Sequence, residues 1–546
     1  MLFVIFVPAL CAGALLREGQ ALAPILVRGM QPLGMQSVRA MQENKALLIV
    51  DVGTSSLRVA LLDEQAHCNW IDSRKYRPSY LDAVTIEQDP EVWWNALDDL
   101  LLEAQSWLQG RLSPRAMVLT SQRSSVIPVD RAGRALRPAI MWQDKRHTAV
   151  CARLEAANPD LQSITGAMMN TAYSGPKMAW LRENEPEVYE AAYKLMTPAE
   201  FMIYRLTGEA RTDFTYASRS LLFDLRSLTW HDGLLEAFGL DRDKLCDAVS
   251  PGSEVGRLDP AWCKRWQLPE GLPLLSAGGD QQCSALGLGV VGEGRYELTA
   301  GTGGYVMTLG KTLPKVYRGT AVNVAAIPGF YNYETTMITC SSAFDYFCRL
   351  FYPGLDYKEI GGKLAEAEVE AGAADQEIVV LPFFQGSGSP DWASFKKADI
   401  LGLDFSATAE DITLACLQAI ACEFHEHIDL LEDVTGVPAS EVVISGGLTR
   451  NESFSGMLAS LLRARVLRPA DFEASVYGAW MSAAVSLGIM NSFEAASAQV
   501  RGQFRESTYR PQSAQSTRYR KILQRYRDAK NEEHVTNSPS RVEEVK

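Results

Sequence analysis

A single carboxylate, Asp280, stands in the run AGGDQQ (residues 277–282), after two glycines and before two glutamines. Glycines remove side-chain bulk and permit unusual backbone angles. The spacing therefore places this acid on a tight turn at a cleft, where a substrate can approach closely; an exposed turn aspartate is the plainer alternative. In DVGTSSLR (residues 51–58), Gly53, Thr54, Ser55 and Ser56 offer backbone N–H groups and hydroxyls without bulk, as a polyphosphate requires of a loop, and Arg58 closes the motif. Asp51 is suited to hold a magnesium ion through water, because Mg²⁺ keeps several waters and takes only one or two carboxylates. A second turn, AGTGG (residues 300–304), carries Gly301, Thr302 and Gly303. Two such turns facing one cleft imply a nucleotide between them. In SGGLTRN (residues 445–451), Gly446 and Gly447 let a flat ring lie against the backbone and Asn451 offers it a hydrogen bond, although an ordinary strand-to-helix turn reads the same way.

These residues need elements to hold them. The apolar run ALLIV before DVGTSSLR and VALL after it predict a buried strand, a tight turn and a returning strand. EQDPEVWWNALDDLLLEAQSWL (residues 87–108) has apolar positions at helical spacing after a proline and predicts a helix. RAMVLTSQRSSVIPVD reads as a strand pair around a polar bend. The same grammar recurs: RYELTAGTGGYVMTLG is strand, turn, strand; residues 412–436 are a long helix; and EVVISGGLTRNESFSGMLASLLRARVL is strand, turn, helix. The expectation is an α/β chain of two domains facing each other across a cleft, over residues 46–292 and 293–518. Residues 1–45 read as a leader outside the fold, and residues 519–546 as a helix passing into a polar tail.

Bulk properties narrow the classes. At 546 residues the chain is too long for one core. A net charge of −13 argues against nucleic acid and anionic membrane surfaces, which reward basic patches, and favours a small-molecule partner. Ten cysteines without a C-x-x-C pair fit a reducing cytoplasm and indicate neither zinc nor a disulfide framework. The opening apolar run has no positive region before it and is short for a membrane span.

Taken in order, DVGTSSLR, the QR of TSQRSS, AIMWQDKR, AGGDQQ, AGTGG and SGGLTRN resemble the motifs of the FGGY carbohydrate kinases, from about Leu47 to about Ile489. YSGPKMAWL, YRLTGEARTDFTYASRSLLFDL and LTWHDGLLEAFGL resemble the glycerol kinases of that family and their nearer relatives. The resemblance implies two actin-like, ribonuclease-H-like domains, ATP with Mg²⁺ in the cleft, and an acceptor held mostly by the N-terminal domain. It assigns Asp280 as the general base and Asp51 to magnesium. Gly53, Thr54 and Ser55 match the first phosphate loop, Gly301, Thr302 and Gly303 the second, and Gly447 and Asn451 the adenosine site. Gln122, Arg123, Trp142 and Gln281 fall among polyol contacts. Homodimers or homotetramers are common by the same resemblance.

Two departures bear on the substrate. Where the glycerol kinases carry an acid after the QR arginine, this chain has Ser124, and where they carry a tyrosine before SG-x-K it has Ala172. Losing two hydrogen-bonding groups costs about 1–3 kcal/mol each in glycerol recognition. The expected acceptor is a larger polyol or ketose of four to six carbons, with Tyr173 as a substitute phenol; glycerol kinase or xylulokinase activity proper is the alternative, and an idle nucleotide-binding regulator the alternative of another class. His425 and His427, two apart on a helix, point to different faces and argue against a metal pair. Cys283 reads as packing, Trp93 and Trp94 as helix-to-sheet contacts, and Asp144 with Arg146 as either a support of the sugar site or a surface ion pair.

Overall fold

The computed structural model describes residues 44–108, 111–370, 377–393, 395–470 and 472–536. The expected leader lies, up to residue 43, outside the described residues, as do the last ten residues of the tail.

Two mixed sheets form the frame. The first is built from β1 (Asn44–Val52), β2 (Ser56–Asp63), β3 (Cys68–Lys75), β4 (Leu112–Ser121), β5 (Glu254–Arg257) and β6 (Pro273–Gly279), in the order β5-β6-β4-β1-β2-β3. β1 pairs antiparallel with β2 and parallel with β4, and β4 pairs parallel with β6. The second sheet contains β7 (Arg295–Ala300), β8 (Gly304–Gly310), β9 (Ala321–Val324), β10 (Tyr331–Met337), β11 (Glu441–Ser445), β12 (Arg465–Pro469) and β13 (Glu506–Tyr509). Its order is β9-β10-β8-β7-β11-β12-β13. β7 pairs antiparallel with β8 and parallel with β11, which pairs parallel with β12. The runs β3-β2-β1-β4-β6 and β10-β8-β7-β11-β12 thus share one topology, and the recurring strand-turn-strand grammar is the sequence trace of it. The two glycine turns occupy equivalent places, β1–β2 in one lobe and β7–β8 in the other.

The helices follow from periodicity and caps. α1 (Glu91–Leu108) starts after Pro90 and buries Trp93, Trp94, Leu97, Leu100, Leu101, Ala104 and Leu108 at helical spacing. Trp94 meets Trp262 edge-on at 4.8 Å, so both tryptophans of EVWW belong to the core. α2 (Asp280–Gly287) follows β6 directly. The long helix α3 (Ala409–Thr435) opens on a Thr408/Asp411 capping box and stops at Gly436 in the left-handed region. α4 (Glu452–Leu462) is capped by Asn451, α5 (Ala474–Ser486) follows β12, and α6 (Ser513–Thr536) closes the described chain. The segment set apart as a tail from residue 519 is the body of α6: Tyr519, Leu523, Tyr526 and Ala529 are buried, and Tyr526 Oη donates to Glu423 of α3 at 2.8 Å. Helical period alone did not reveal that this face has a partner. The strands read as one pair around TSQRSS belong to different sheets, since residues 127–129 pair with 194–196 and not with β4.

α2 and α5, one from each lobe, cross backbone to backbone. A Cβ on Gly478 would lie 1.8 Å from the Cys283 carbonyl oxygen, and one on Gly287 would lie 2.0 Å from the Ala474 oxygen. Only glycine fits at either position. We expect Gly478→Ala to force the helices apart and destabilise the protein by about 1–3 kcal/mol, the usual cost of overpacking. A thermal melt checks this; a melting temperature equal to the wild type would contradict the crossing.

Candidate functional site

The cleft between the sheets holds two cavities that meet at Asp280 and Gln281. The first, of about 700 Å³, is lined by Asp51, Gly53, Gly446, Phe472 and Ser475, among others, and by Asp280 and Gln281. The second, of about 600 Å³, is lined from the N-terminal lobe by Thr54, Gln122, Arg123, Trp142 and Tyr173, from the C-terminal lobe by Tyr305, Glu334 and Trp392, and again by Asp280 and Gln281. The acid of AGGDQQ therefore stands where the two cavities join.

Local structure explains the placement. β6 ends at Gly279 and α2 begins at Asp280, so the carboxylate sits on the first residue of a helix. Gly279 must be glycine because the Arg123 side chain runs over it: a Cβ there would meet Arg123 Cδ at 2.5 Å. Arg123 Nε lies 3.7 Å from Asp280 Oδ1, its NH1 donates to Gln282 Oε1 at 3.1 Å, and its NH2 donates to Gln281 Oε1. Burial in the cleft raises the Asp280 carboxyl above the usual carboxylate range, while Arg123 and the Gln281 amide, at 2.8 Å, pull it back. The result is a carboxylate of enhanced basicity held in one orientation.

Asp51, at the end of β1, is 5% exposed. Its Oδ2 accepts from Ser475 Oγ at 2.7 Å and from Arg58 NH1 at 3.2 Å, whereas the buried Oδ1 has no hydrogen-bond partner. Burial pushes its pKa up to about 6 against the pull of Ser475, with Asp280 adding to the rise. An orphaned carboxylate oxygen on the wall of the first cavity fits a divalent cation. Arg58 also pairs with Glu473 at 3.1 Å, so its charge is divided between two acids and ties the lobes together. Both α2 and α5 start at the cavity wall, where the positive end of a helix dipole favours anionic ligands.

The remaining predicted residues are distributed as follows. In the first turn, Gly53 lines the 700 Å³ cavity, while Thr54 faces the other and accepts from Trp142 Nε1 at 3.0 Å. The Ser55 and Ser56 carbonyls accept from the Tyr76 and Gly53 amides, both at 2.9 Å. Gln122 braces the turn by donating to the Gly53 carbonyl at 3.3 Å. Gly301, Thr302 and Gly303 form the tip between β7 and β8, with the Gly301 and Thr302 carbonyls accepting from the Ser341 and Cys340 amides at 2.9 Å each. Gly446 is on the cavity wall, Gly447 opens the single turn Gly447–Arg450, and Asn451 Oδ1 caps α4 through the Phe454 amide at 3.1 Å.

Outside the two cavities, Asp144 is fully buried, so the surface-pair reading of Asp144 and Arg146 does not hold. Burial opposes its charge, but His147 and Arg146 hold it well below the usual range, and its Oδ2 accepts from the Ile86 amide at 2.7 Å. The Cys283 thiol is buried among small residues and pushed up by that burial, as suits a packing residue. His425, Glu426 and Asp429 stand close together on α3, but Arg527 takes both acids at 2.6 Å, which makes the group an ion-paired seam to α6.

Sequence reasoning named Tyr173 for the acceptor site but missed its neighbours Arg219, Tyr305, Glu334, Thr336 and Trp392. Tyr173 Oη accepts from Arg219 NH1 at 3.2 Å, and the guanidinium lies 4.4 Å over the phenol ring. Tyr305, Glu334 and Thr336 come from the C-terminal sheet, where the pleat turns them to one face: Tyr305 is opposite Thr336 and Met307 is opposite Glu334. A charged residue inside the strand YNYETTM was the available signal.

Lys177 supports this wall from behind. It is fully buried and donates to the carbonyls of Thr171 at 2.6 Å and Tyr173 at 2.9 Å. Burial pulls its pKa down from 10.5 to about 7. A depressed lysine means that the unfolded chain binds more protons than the native one between about pH 7 and 10.5, so stability rises with pH across that window and is lost as pH falls through it. In melts from pH 7 to 9, we expect Lys177→Met to flatten this rise; an unchanged slope would contradict it.

Two lobes of one repeated topology, with an acid at the junction of an anion-favouring cavity and a hydroxyl-lined one, define an actin-like, two-domain α/β protein. Family models described as the N-terminal and C-terminal domains of the FGGY family of carbohydrate kinases match residues 46–287 and 297–487. The xylulose kinase of Escherichia coli (strain K12) is 29% identical over 416 residues, covering 76% of this chain and 84% of that protein. The glycerol kinase of Bordetella parapertussis is 28% identical over 510 residues, covering 90% and 97%. Among solved structures, the xylulose kinase from Rhodospirillum rubrum superposes with a TM-score of 0.83 at 23% identity, over 90% of this chain and 99% of that one. Plasmodium falciparum glycerol kinase with ADP gives 0.82 at 24%, over 90% and 98%. The chain belongs to the FGGY family of carbohydrate kinases, and it is an enzyme of that kind. No helix among the described residues is long and apolar enough to cross a membrane.

Proposed function

We propose that this enzyme transfers the γ-phosphoryl group of ATP to a hydroxyl of a polyol or ketose, with Asp280 taking the proton of the attacking hydroxyl. One observation carries the reading: Asp280 lines both cavities, so a group bound in either reaches the same carboxylate. Phosphoryl transfer asks a protein for alignment, charge neutralisation and one base beside the nucleophile. The 700 Å³ cavity, with the Gly53 turn, the α5 N-terminus and Gly446, is the nucleotide side. Asp51, through its unpaired Oδ1, would hold Mg²⁺, which would supply neutralisation of the charge on the transferring phosphoryl group. Arg123 keeps Asp280 ionised and aimed, and Trp142 gives the acceptor carbons an apolar wall. Relatives named xylulose kinase and glycerol kinase support an acceptor of this class.

Within that class a four- to six-carbon acceptor fits best. Ser124 and Ala172 both line a cavity of about 600 Å³, larger than a three-carbon triol requires. Ser124 Oγ is turned to the Arg219 carbonyl at 3.3 Å. Tyr173 on the cavity wall favours the second reading, glycerol or xylulose phosphorylation proper, because it restores a phenol close to Ala172. The nine described cysteines are free, in support of a cytoplasmic enzyme.

A coupled ADP-release assay with Mg-ATP and a panel of glycerol, erythritol, pentitols, xylulose, ribulose and larger ketoses tests the reading. The expected result is acceptor-dependent turnover with the highest kcat/KM above three carbons. Preference for glycerol would refute the pocket argument, and ATP binding without turnover on any acceptor would favour the idle regulator.

A further inference from the structure

Glu334 has no role in the transfer described above, yet it is one of the most deeply placed charges facing the acceptor cavity. It lies on β10 of the C-terminal lobe, is 6% exposed, and has a buried Oε2 with no hydrogen-bond partner. Across the cavity, Arg219 of the N-terminal lobe gives one NH to Tyr173 and keeps a buried Nε without a partner. Burial opposes the Arg219 charge, and the Glu334 and Asp280 carboxylates are among the groups near enough to favour it. A buried carboxylate left unpaired is costly to a fold, and such groups persist where a ligand completes them.

We infer that Glu334, with Arg219 as its companion donor, is a specificity-determining site that reads a second hydroxyl of the acceptor, distinct from the one phosphorylated. This rests on the reading of the 600 Å³ cavity as the acceptor site. The chemistry of the pair selects the ligand class. A hydroxyl can donate to the carboxylate and accept from the guanidinium at the same time, whereas a carboxylate or phosphate on the substrate would meet Glu334 as a like charge. The site therefore suits an uncharged polyol or ketose with hydroxyls beyond the third carbon, and not an acidic sugar. Because Glu334 comes from one lobe and Asp280 and Arg219 from the other, an acceptor long enough to reach both binds to the two lobes at once.

The test compares Glu334→Gln and Glu334→Ala with the wild type on glycerol, erythritol, xylitol, xylulose and gluconate. Kinetics are read as separate kcat and KM values, and acceptor binding is read independently by calorimetric titration. The ratio of kcat/KM for five-carbon over three-carbon acceptors is expected to fall about 10- to 100-fold, the worth of one hydrogen bond to a charged group. The fall should appear in the acceptor KM and not in the KM for Mg-ATP, and gluconate should gain relative to xylitol. Equal losses on all acceptors, or a retained ratio, would overturn the inference; because the ratio is internal to each variant, it still reads discrimination if a variant melts early. Wild-type titrations that detect xylitol or xylulose without turnover would leave the Glu334 site testable by binding and would refute the transferase reading. Turnover with unchanged discrimination in both variants would do the reverse.

Discussion

Asp280→Asn is expected to lower kcat by about 10²–10⁴-fold, the usual worth of a positioned general base, while the ATP dissociation constant stays within a few fold. The asparagine fills the same volume on the first residue of α2 and can still accept from the Gln281 amide, so the fold is preserved. It cannot take a proton. The effect should appear in kcat, because the lost interaction is made with the attacking hydroxyl as it loses its proton. Steady-state kinetics with a nucleotide-binding titration separate the outcomes. Retained kcat would remove Asp280 from catalysis, and a parallel loss of ATP binding would make it a nucleotide contact.

The second large effect is expected of Asp51→Asn. Replacing this carboxylate should cost about 10²-fold in kcat/KM for Mg-ATP, as loss of a preorganised electrostatic contact generally does, and should shift the activity to higher Mg²⁺. Asp51 also receives hydrogen bonds from Ser475 and Arg58, and Arg58 keeps Glu473 as a partner when Asp51 loses its charge. A purely structural role would lower the melting temperature and leave the Mg²⁺ dependence where it was. A magnesium titration of activity beside a thermal melt distinguishes the two.

What could be read from the sequence was what is local in it. Each glycine turn is specified within a few residues by the strand before it and the strand after it, and AGGDQQ carries its own reason for glycine once Arg123 is seen lying across Gly279. The repeated lobe topology was legible as repeated grammar, because side-chain period and turn chemistry are local properties. The acceptor wall was not. Tyr305, Glu334, Thr336 and Trp392 reach it only when the second lobe folds against the first, and no spacing in the chain announces that approach. Contacts that settle the meeting of the lobes, such as the Val322 amide donating to the Gly166 carbonyl at 2.8 Å, join residues more than 150 positions apart. Arg58 shows the same limit: its place in DVGTSSLR marked it for the cofactor, and only the fold brings Glu473 to it and divides its charge between two carboxylates. The helix read from residue 519 is there, but its docking was not legible: only the fold sets Tyr526 against Glu423.

The most direct test of the central claim follows the phosphorus by ³¹P NMR, with enzyme, Mg-ATP and the best acceptor from the panel. The γ-phosphate signal is expected to disappear as ADP forms while a phosphomonoester of the acceptor grows one for one with it, at a rate strongly reduced in Asp280→Asn. Inorganic phosphate as the only new signal, or an ATP spectrum unchanged by every acceptor, would contradict it.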